Sequence, residues 1–197
     1  MLRGHPDEAF YTLALVTGAR RGELLGLRWG DIDLDARTLR IAGALLRYGG
    51  KQQIASTKTE TERTISIPVE VCDLLRSYKA PQAEARLKIG PLWQGDQWGA
   101  GGLVFAHDDG SPQNEGRYTK TFKRLLVMAG IDRDLHLHNS RHTAATLIYA
   151  ETGDLKVVQH RLGHSTIATT SRFYAGVPAE VDRDASDGLG RALFGSR

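Results

Sequence analysis

The hydrophobic period changes twice along this chain, and that change limits the possible folds more than any other feature. Pro6 and Asp7 open a helical pattern with Phe10, Leu13 and Ala14 inward, which Gly18 ends; a second helix over 20–28 carries Leu24, Leu25 and Leu27. In DIDLDARTLRIAGALL the spacing falls towards two. The Asp-rich part predicts a turn, TLRIA a strand, Gly49-Gly50 another turn, and two short strands follow near 52–58 and 63–67, stopped by Pro68. Helical spacing returns over 69–88, with Pro81 expected to break or kink it. Residues 90–102 read as a loop. Further helices run to Gly130, Gly153 and Gly163, and Ser165 can cap a last one, TIATTSRFY. A short run of strands inside a series of helices predicts an α+β fold, mainly helical, with a small antiparallel hairpin region.

The 197 residues suit one domain with a sizeable core, and a composition of 41% apolar and 25% charged residues is that of an ordinary globular protein. No apolar run is long enough to span a bilayer and no signal peptide opens the chain, so the expectation is a cytoplasmic protein with no membrane partner. The single cysteine, Cys72, excludes an internal disulfide and a cysteine zinc cluster; in VCDLL it reads as a buried thiol. The net charge of +3 is mild, and its distribution says more. Arg117, Lys120, Lys123 and Arg124 share one helical face, opposite Tyr118, Phe122, Leu125 and Ala129. One such run is most simply a solvated face; beside other signs it suggests a surface that follows phosphates.

The segment HNSRH, residues 138–142, allows three readings. His138 and His142 have the spacing of a metal pair, but Asn139 stands where a catalytic glutamate would be and no acid or cysteine lies nearby; His136 is the remaining possible ligand. His160 and His164 are also four apart, with Gly163 ending the helix between them. As core residues, His136, His142 and His160 would be hydrogen-bonded structural side chains. That reading leaves Arg141, at the head of a buried-looking helix, without a reason. As a phosphate grip, the segment uses more of the chain: a guanidinium at a helix N-terminus forks two phosphate oxygens, and TGARRGELLGLRW supplies a second such place at Arg20, with Glu23 placed to orient it. Two arginines on one phosphate stabilise a pentavalent transition state without a metal. An attacking group is offered by Tyr174 in RFYAGV, whose phenol, with a free pKa of about 10, needs cations beside it to ionise.

Taken together, these residues resemble the catalytic domain of the tyrosine recombinases, the phage integrases, from about Asp7 to Val177. TGARRGELLGLRWGDID is similar to the family's first arginine box. HNSRHTAATLIYAETGDLKVVQHRLGHSTIATTSRFYAGV is similar to its second, with the H-x-x-R, L-G-H and tyrosine elements in order. The resemblance implies a catalytic domain over 1–177 and a tail over 178–197 that docks on a neighbouring protomer, to which the short pattern GLGRALF is suited. It implies that Arg20 and Arg141 clamp the non-bridging oxygens of the scissile phosphate. His138 would handle the nucleophile's proton, His164 would donate to the developing charge, and Lys58, in STKTETERTISIP, would protonate the departing 5′ oxygen. Tyr174 would attack, giving a 3′-phosphotyrosyl enzyme. Glu23 would support the site from behind. The energy is kept in the covalent bond, so neither cofactor nor metal is expected.

The chain departs from the family in two places. Asn139 and Ser140 replace the acid and leucine of the common H-D-L-R-H, which removes an apolar contact under His138. Relatives usually carry a helical DNA-clamping domain ahead of the catalytic one, whereas residues 1–6 alone precede the first helix here, so the expectation is a catalytic portion that binds DNA weakly and with a steep salt dependence. The implied function is site-specific DNA recombination on double-stranded DNA, in a tetrameric synapse of the full-length protein, aided by accessory DNA-bending proteins and associated with the nucleoid. Two other functions share these residues. A type IB topoisomerase would use the same chemistry to relax supercoils, and the wording of L-G-H and of the first box favours the recombinase. A non-catalytic DNA-binding module is the third, against which the complete catalytic set argues.

Overall fold

The computed structural model describes residues 2–55, 62–131, 134–166, 168, 170, 183 and 186. Helix α1 (Glu8–Thr17) sits at the centre of the core, with Ala9, Phe10, Leu13 and Ala14 all but fully buried. Phe10 stacks on Tyr118 at 3.7 Å between ring centroids and meets Phe105 edge-on at 5.1 Å. Gly18 ends α1 with φ +63°, and Thr17 secures the turn by accepting the Ala19 amide on Oγ1. The turn is crowded as well as left-handed: a Cβ on Gly18 would stand 3.3 Å from the Ala144 methyl and against Leu162. Two later helices are therefore packed onto the turn that leads to Arg20.

Helix α2 (Arg21–Leu25) is a single short segment, so the expected 20–28 helix stops at Leu25, and a 3₁₀ turn (Trp29–Asp31) carries the chain into the strands. The predicted single sheet is also two. Strands β1 (Ile32–Asp33), β2 (Thr38–Ile41) and β5 (Arg63–Ser66) form an antiparallel sheet in the order β1-β2-β5, whereas β3 (Ala44–Tyr48) and β4 (Lys51–Ala55) form a separate hairpin across Gly49-Gly50, both at positive φ. The sequence pattern missed β3. Its two buried residues, Ala44 and Leu45, are adjacent rather than alternating because α2 lies directly on them, and a Cβ on Gly26 would meet the Leu45 amide at 2.8 Å.

Helix α3 (Val69–Ile89) runs through Pro81 without the expected break; only its first half, Val71, Cys72 and Leu75, is buried, and Cys72 is the expected buried thiol. Helix α4 (Glu115–Met128) is capped by Asn114 and followed by Gly130 at φ +67°. Helices α5 (Asn139–Thr152) and α6 (Leu155–Leu162) end at Gly153 and Gly163 as read from the sequence. The expected last helix falls mostly outside the described residues. Among the described residues, no helix is long and apolar enough to cross a membrane.

Candidate active site

Three chain segments converge here: the α1–α2 turn, the start of α5, and the turn after α6. Arg141, on the first turn of α5, fastens the other two. Its buried guanidinium donates to the Gly18 carbonyl at 2.7 Å and to the Leu162 carbonyl at 2.6 Å. A guanidinium has five N–H donors, so donors remain beyond those two contacts. Arg20 is the last residue before α2 and half-exposed. Its neighbour Arg21 turns the other way, to Thr119 and Glu115 on α4. That difference separates the two arginines of the ARRGE run, which look alike in sequence.

Arg20, His138, Arg141, His142 and His164 line a cavity of about 140 Å³, opening towards a larger cleft of about 520 Å³ that also borders Arg20, His138 and Arg141. At roughly 30 Å³ per water molecule, the smaller space suits one tetrahedral oxyanion. The electrostatics favour an anion there. Beyond burial, Arg63 lowers both Arg20 and Arg141 and Arg20 lowers Arg141, with Glu23 the carboxylate set against these effects. Burial, then Arg20 and Arg63, push Arg141 down to about 9, with Glu23 offsetting only part of this. Arg141 is still charged at neutral pH, held where charge is costly; an incoming anion relieves that cost.

His138 and His164 are lowered too, and in their case that leaves them neutral. Burial, with Arg141, Arg20, Arg63 and His142 behind it, pushes His164 down to about 4. Its Nδ1 faces the Thr170 hydroxyl at 2.9 Å; with that hydroxyl donating, Nε2 carries the ring hydrogen. Burial, His142, Arg141 and Arg20 lower His138 as well, which keeps it neutral and able to take a proton near pH 7. Asn139 and Ser140, the departures from the common motif, are absorbed locally: Asn139 Oδ1 accepts the His136 amide, and the buried Ser140 hydroxyl donates to the Leu137 carbonyl.

Of the three histidines read as hydrogen-bonded structural residues, His160 makes such a contact, from the surface rather than the core, and His142 and His136 are placed otherwise. His142 lines the cavity with the arginines and stands edge-on to His138, 5.5 Å between ring centroids. His136 is exposed, and His160 lies at the surface with Nε2 3.1 Å from the Thr64 carbonyl. Glu23 is where the sequence placed it, but with a partner the sequence did not suggest. Its carboxylate accepts the Arg20 backbone amide at 2.7 Å, lies 3.8 Å from the Arg20 guanidinium, and takes both forks of Arg63 at 3.0 Å. The missed residues are thus Arg63 and His142. His142 had a signal in its spacing from His138. For Arg63 the signal was a charged residue at an inward position of the alternating strand RTIS.

Lys58 and Tyr174 lie outside the described residues. Of the α4 cations, Arg117 is bound to the buried Asp7 at 2.6 Å and lies over the Tyr118 ring, whereas Lys120 and Arg124 are exposed and Lys123 is half-buried.

The phage integrase family model matches residues 3–180. The chain belongs to the phage integrase family. A tyrosine recombinase XerC-like protein of Caldanaerobacter subterraneus subsp. tengcongensis is 34% identical over 199 residues, covering 95% of this chain and 50% of that protein. The ICEBs1 integrase of Bacillus subtilis is 26% identical over 183 residues, covering 92% of this chain and 48% of the relative. Among solved structures, the Tn1549 transposon integrase in complex with transposon right end DNA matches with a TM-score of 0.75 at 25% identity, covering 93% of this chain and 59% of that one. The chain therefore spans about half the length of the curated relatives it matches. The mainly helical fold with small antiparallel sheets is that of the integrase catalytic domain.

Proposed function

We propose that this integrase domain is the catalytic portion of a site-specific DNA recombinase that cuts and rejoins double-stranded DNA through a 3′-phosphotyrosyl intermediate. The observation that carries the reading is the cavity in which Arg20 and Arg141 meet three histidines with one carboxylate against three guanidiniums. Such a site binds a phosphodiester and gains further as its charge grows in the pentavalent transition state.

In this reading Arg141 and Arg20 hold the non-bridging oxygens. Tyr174 attacks phosphorus as its phenolic proton passes to neutral His138. Nε2–H of His164 donates to a non-bridging oxygen. The P–O5′ bond breaks, and Lys58 supplies the proton that makes the leaving group a free 5′ hydroxyl. Attack by the 5′ hydroxyl of a second DNA end on the phosphotyrosine reverses each transfer, so the energy of the bond is kept without ATP. The full-length protein works as a tetramer on DNA, with the tail over 178–197 bridging protomers, accessory bending proteins assisting, and the α4 cations Lys120, Lys123 and Arg124 following the backbone. Its place is the nucleoid in the cytoplasm.

The test is adduct formation on a nicked suicide DNA in EDTA. Wild type is expected to give a covalent protein–DNA species and Tyr174→Phe none. Supercoil relaxation with no sequence preference would move the reading to a topoisomerase. No adduct from the full-length protein would reduce it to a DNA-binding module.

A further inference from the structure

Arg63 is one of the most completely engaged side chains in the molecule. It is 4% exposed, although it is a strand arginine beside a surface hairpin. Register explains the burial: Ile41 pairs with Arg63 and Leu39 with Ile65, so alternation in β5 turns Arg63 inward with Ile65. Each nitrogen of its guanidinium then donates a hydrogen bond. Nη1 and Nη2 fork the Glu23 carboxylate at 3.0 Å, and Nε donates to the Arg161 carbonyl at 2.9 Å. Its flat face lies on Gly163, where an added Cβ would come within 2.5 Å of Nη1. Gly163 is thus glycine for two reasons, its φ of +71° and the arginine against it.

We infer that Arg63 is a positioning residue of the integrase site: it takes both oxygens of the Glu23 carboxylate, so that carboxylate does not neutralise the clamp, and it fixes the Gly163 turn that presents His164. The alternative arrangement is close at hand. Glu23 lies 3.8 Å from the Arg20 guanidinium. Without Arg63 the cations left to the carboxylate among the described residues are those of the clamp, and a clamp closed on an internal carboxylate competes with its substrate. Arg63 thus tunes the net charge of the cavity without touching the phosphate. It does so from β5, a strand that carries neither clamp arginine.

This assignment rests on the phosphate-binding part of the recombinase reading, and the test reads phosphate binding and chemistry separately. The variants are Arg63→Met, Arg63→Lys and the double variant Arg63→Met/Glu23→Gln, with Arg20→Ala marking the site. The first readout is protection of the folded chain against heat by millimolar inorganic phosphate at constant ionic strength. The second is the rate of adduct formation on suicide DNA. Arg63→Met is expected to abolish phosphate protection and to slow adduct formation roughly a hundredfold, and the double variant to recover at least about tenfold of that rate because the competing carboxylate is gone. Should Arg63→Met fail to fold, Arg63→Lys and the double variant decide, since neither leaves a bare buried carboxylate; both are expected to keep phosphate affinity within about threefold of wild type. The proposal is overturned if the folded double variant is no better than Arg63→Met, if Arg63→Met keeps wild-type protection, or if phosphate does not protect wild type at all. Protection of wild type without any adduct would sink the recombinase reading alone, and Arg63 would then stand or fall on the phosphate readout.

Discussion

Arg63 and Arg141 are almost equally buried, 4% and 5% exposed, and they sit in the same cluster, yet the protein treats them in opposite ways. Arg63 meets a carboxylate with both forks. Among the described residues, Arg141 donates to the carbonyls of Gly18 and Leu162, dipoles that orient it without neutralising it, and its pKa falls to about 9. A matched guanidinium acts as a fastener. An unmatched one, held rigid at the junction of three segments, is a binding site awaiting charge. The difference lies in the partner, not in depth, so burial alone does not separate structural arginines from functional ones.

The most forceful way to break the comparison is to strip the fastener. Arg63→Met leaves Glu23 buried without its main partner and is expected to cost about 3–5 kcal/mol of stability, with the Glu23→Gln double variant recovering most of it. Urea unfolding of the single and double variants checks this. Next in size is the waiting charge. Arg141→Lys keeps a cation but loses the planar fork that spans the Gly18 and Leu162 carbonyls while facing the cavity. It is expected to slow adduct formation by about two to three orders of magnitude, near 3–4 kcal/mol in the transition state. If Arg141→Lys cleaved at the wild-type rate, a point charge would suffice and the fork would be dispensable.

How much of this contrast could be read from sequence depends on distance along the chain. The left-handed helix ends at Gly18, Gly153 and Gly163 were legible because their cause is local: a glycine follows the last apolar residue of a periodic run. Arg20 was legible because it lies beside such an end, and Arg141 because it lies at the head of a helix. Arg63 was not, since its partner is 40 residues away and RTIS alone reads as an ordinary strand. Strand β3 was missed for a related reason: its burial is set by α2 packing on it, and no alternation survives in ALLRY. His142 was misjudged, although the spacing that offered a metal pair already put it on the same helix face as His138. Lys58 and Tyr174 rest on the family resemblance, because a hairpin lysine and one tyrosine of six carry no local mark.

A third prediction sharpens the comparison through the histidines. His164 is about 4 in the folded chain and about 6.5 unfolded, so the unfolded state takes up its proton first as pH falls. The stability of neutral His164 is therefore present above about pH 6.5 and lost as pH falls towards 4. The loss is expected to be about 1–2 kcal/mol once solvent screening is allowed for. Denaturant unfolding at pH 7 and pH 4.5 measures it, and His164→Asn should flatten most of that slope. The lowered His138 adds a smaller component of the same sign. An unchanged slope in His164→Asn would mean that the cations around the cavity do not hold His164 neutral.

The smallest effects test whether the same contrast of matched and waiting charge extends to α4. Arg117 is matched: Asp7, 5% exposed, lies 2.6 Å away. Lys120 and Arg124 face solvent on the same helix. If matched cations hold structure and exposed ones follow phosphates, the two kinds should fail in different assays. Lys120→Ala and Arg124→Ala are each expected to change stability by less than about 0.5 kcal/mol and to reduce the slope of log affinity against log salt by about one, measured by DNA titration across a salt series. Arg117→Ala should do the reverse, lowering stability by stranding Asp7 while leaving the salt slope alone. Were Arg117→Ala to flatten the slope as well, an ion pair with a buried carboxylate would not keep a cation from DNA, and the same doubt would reach Arg63, whose assignment depends on matched charge staying out of the binding balance.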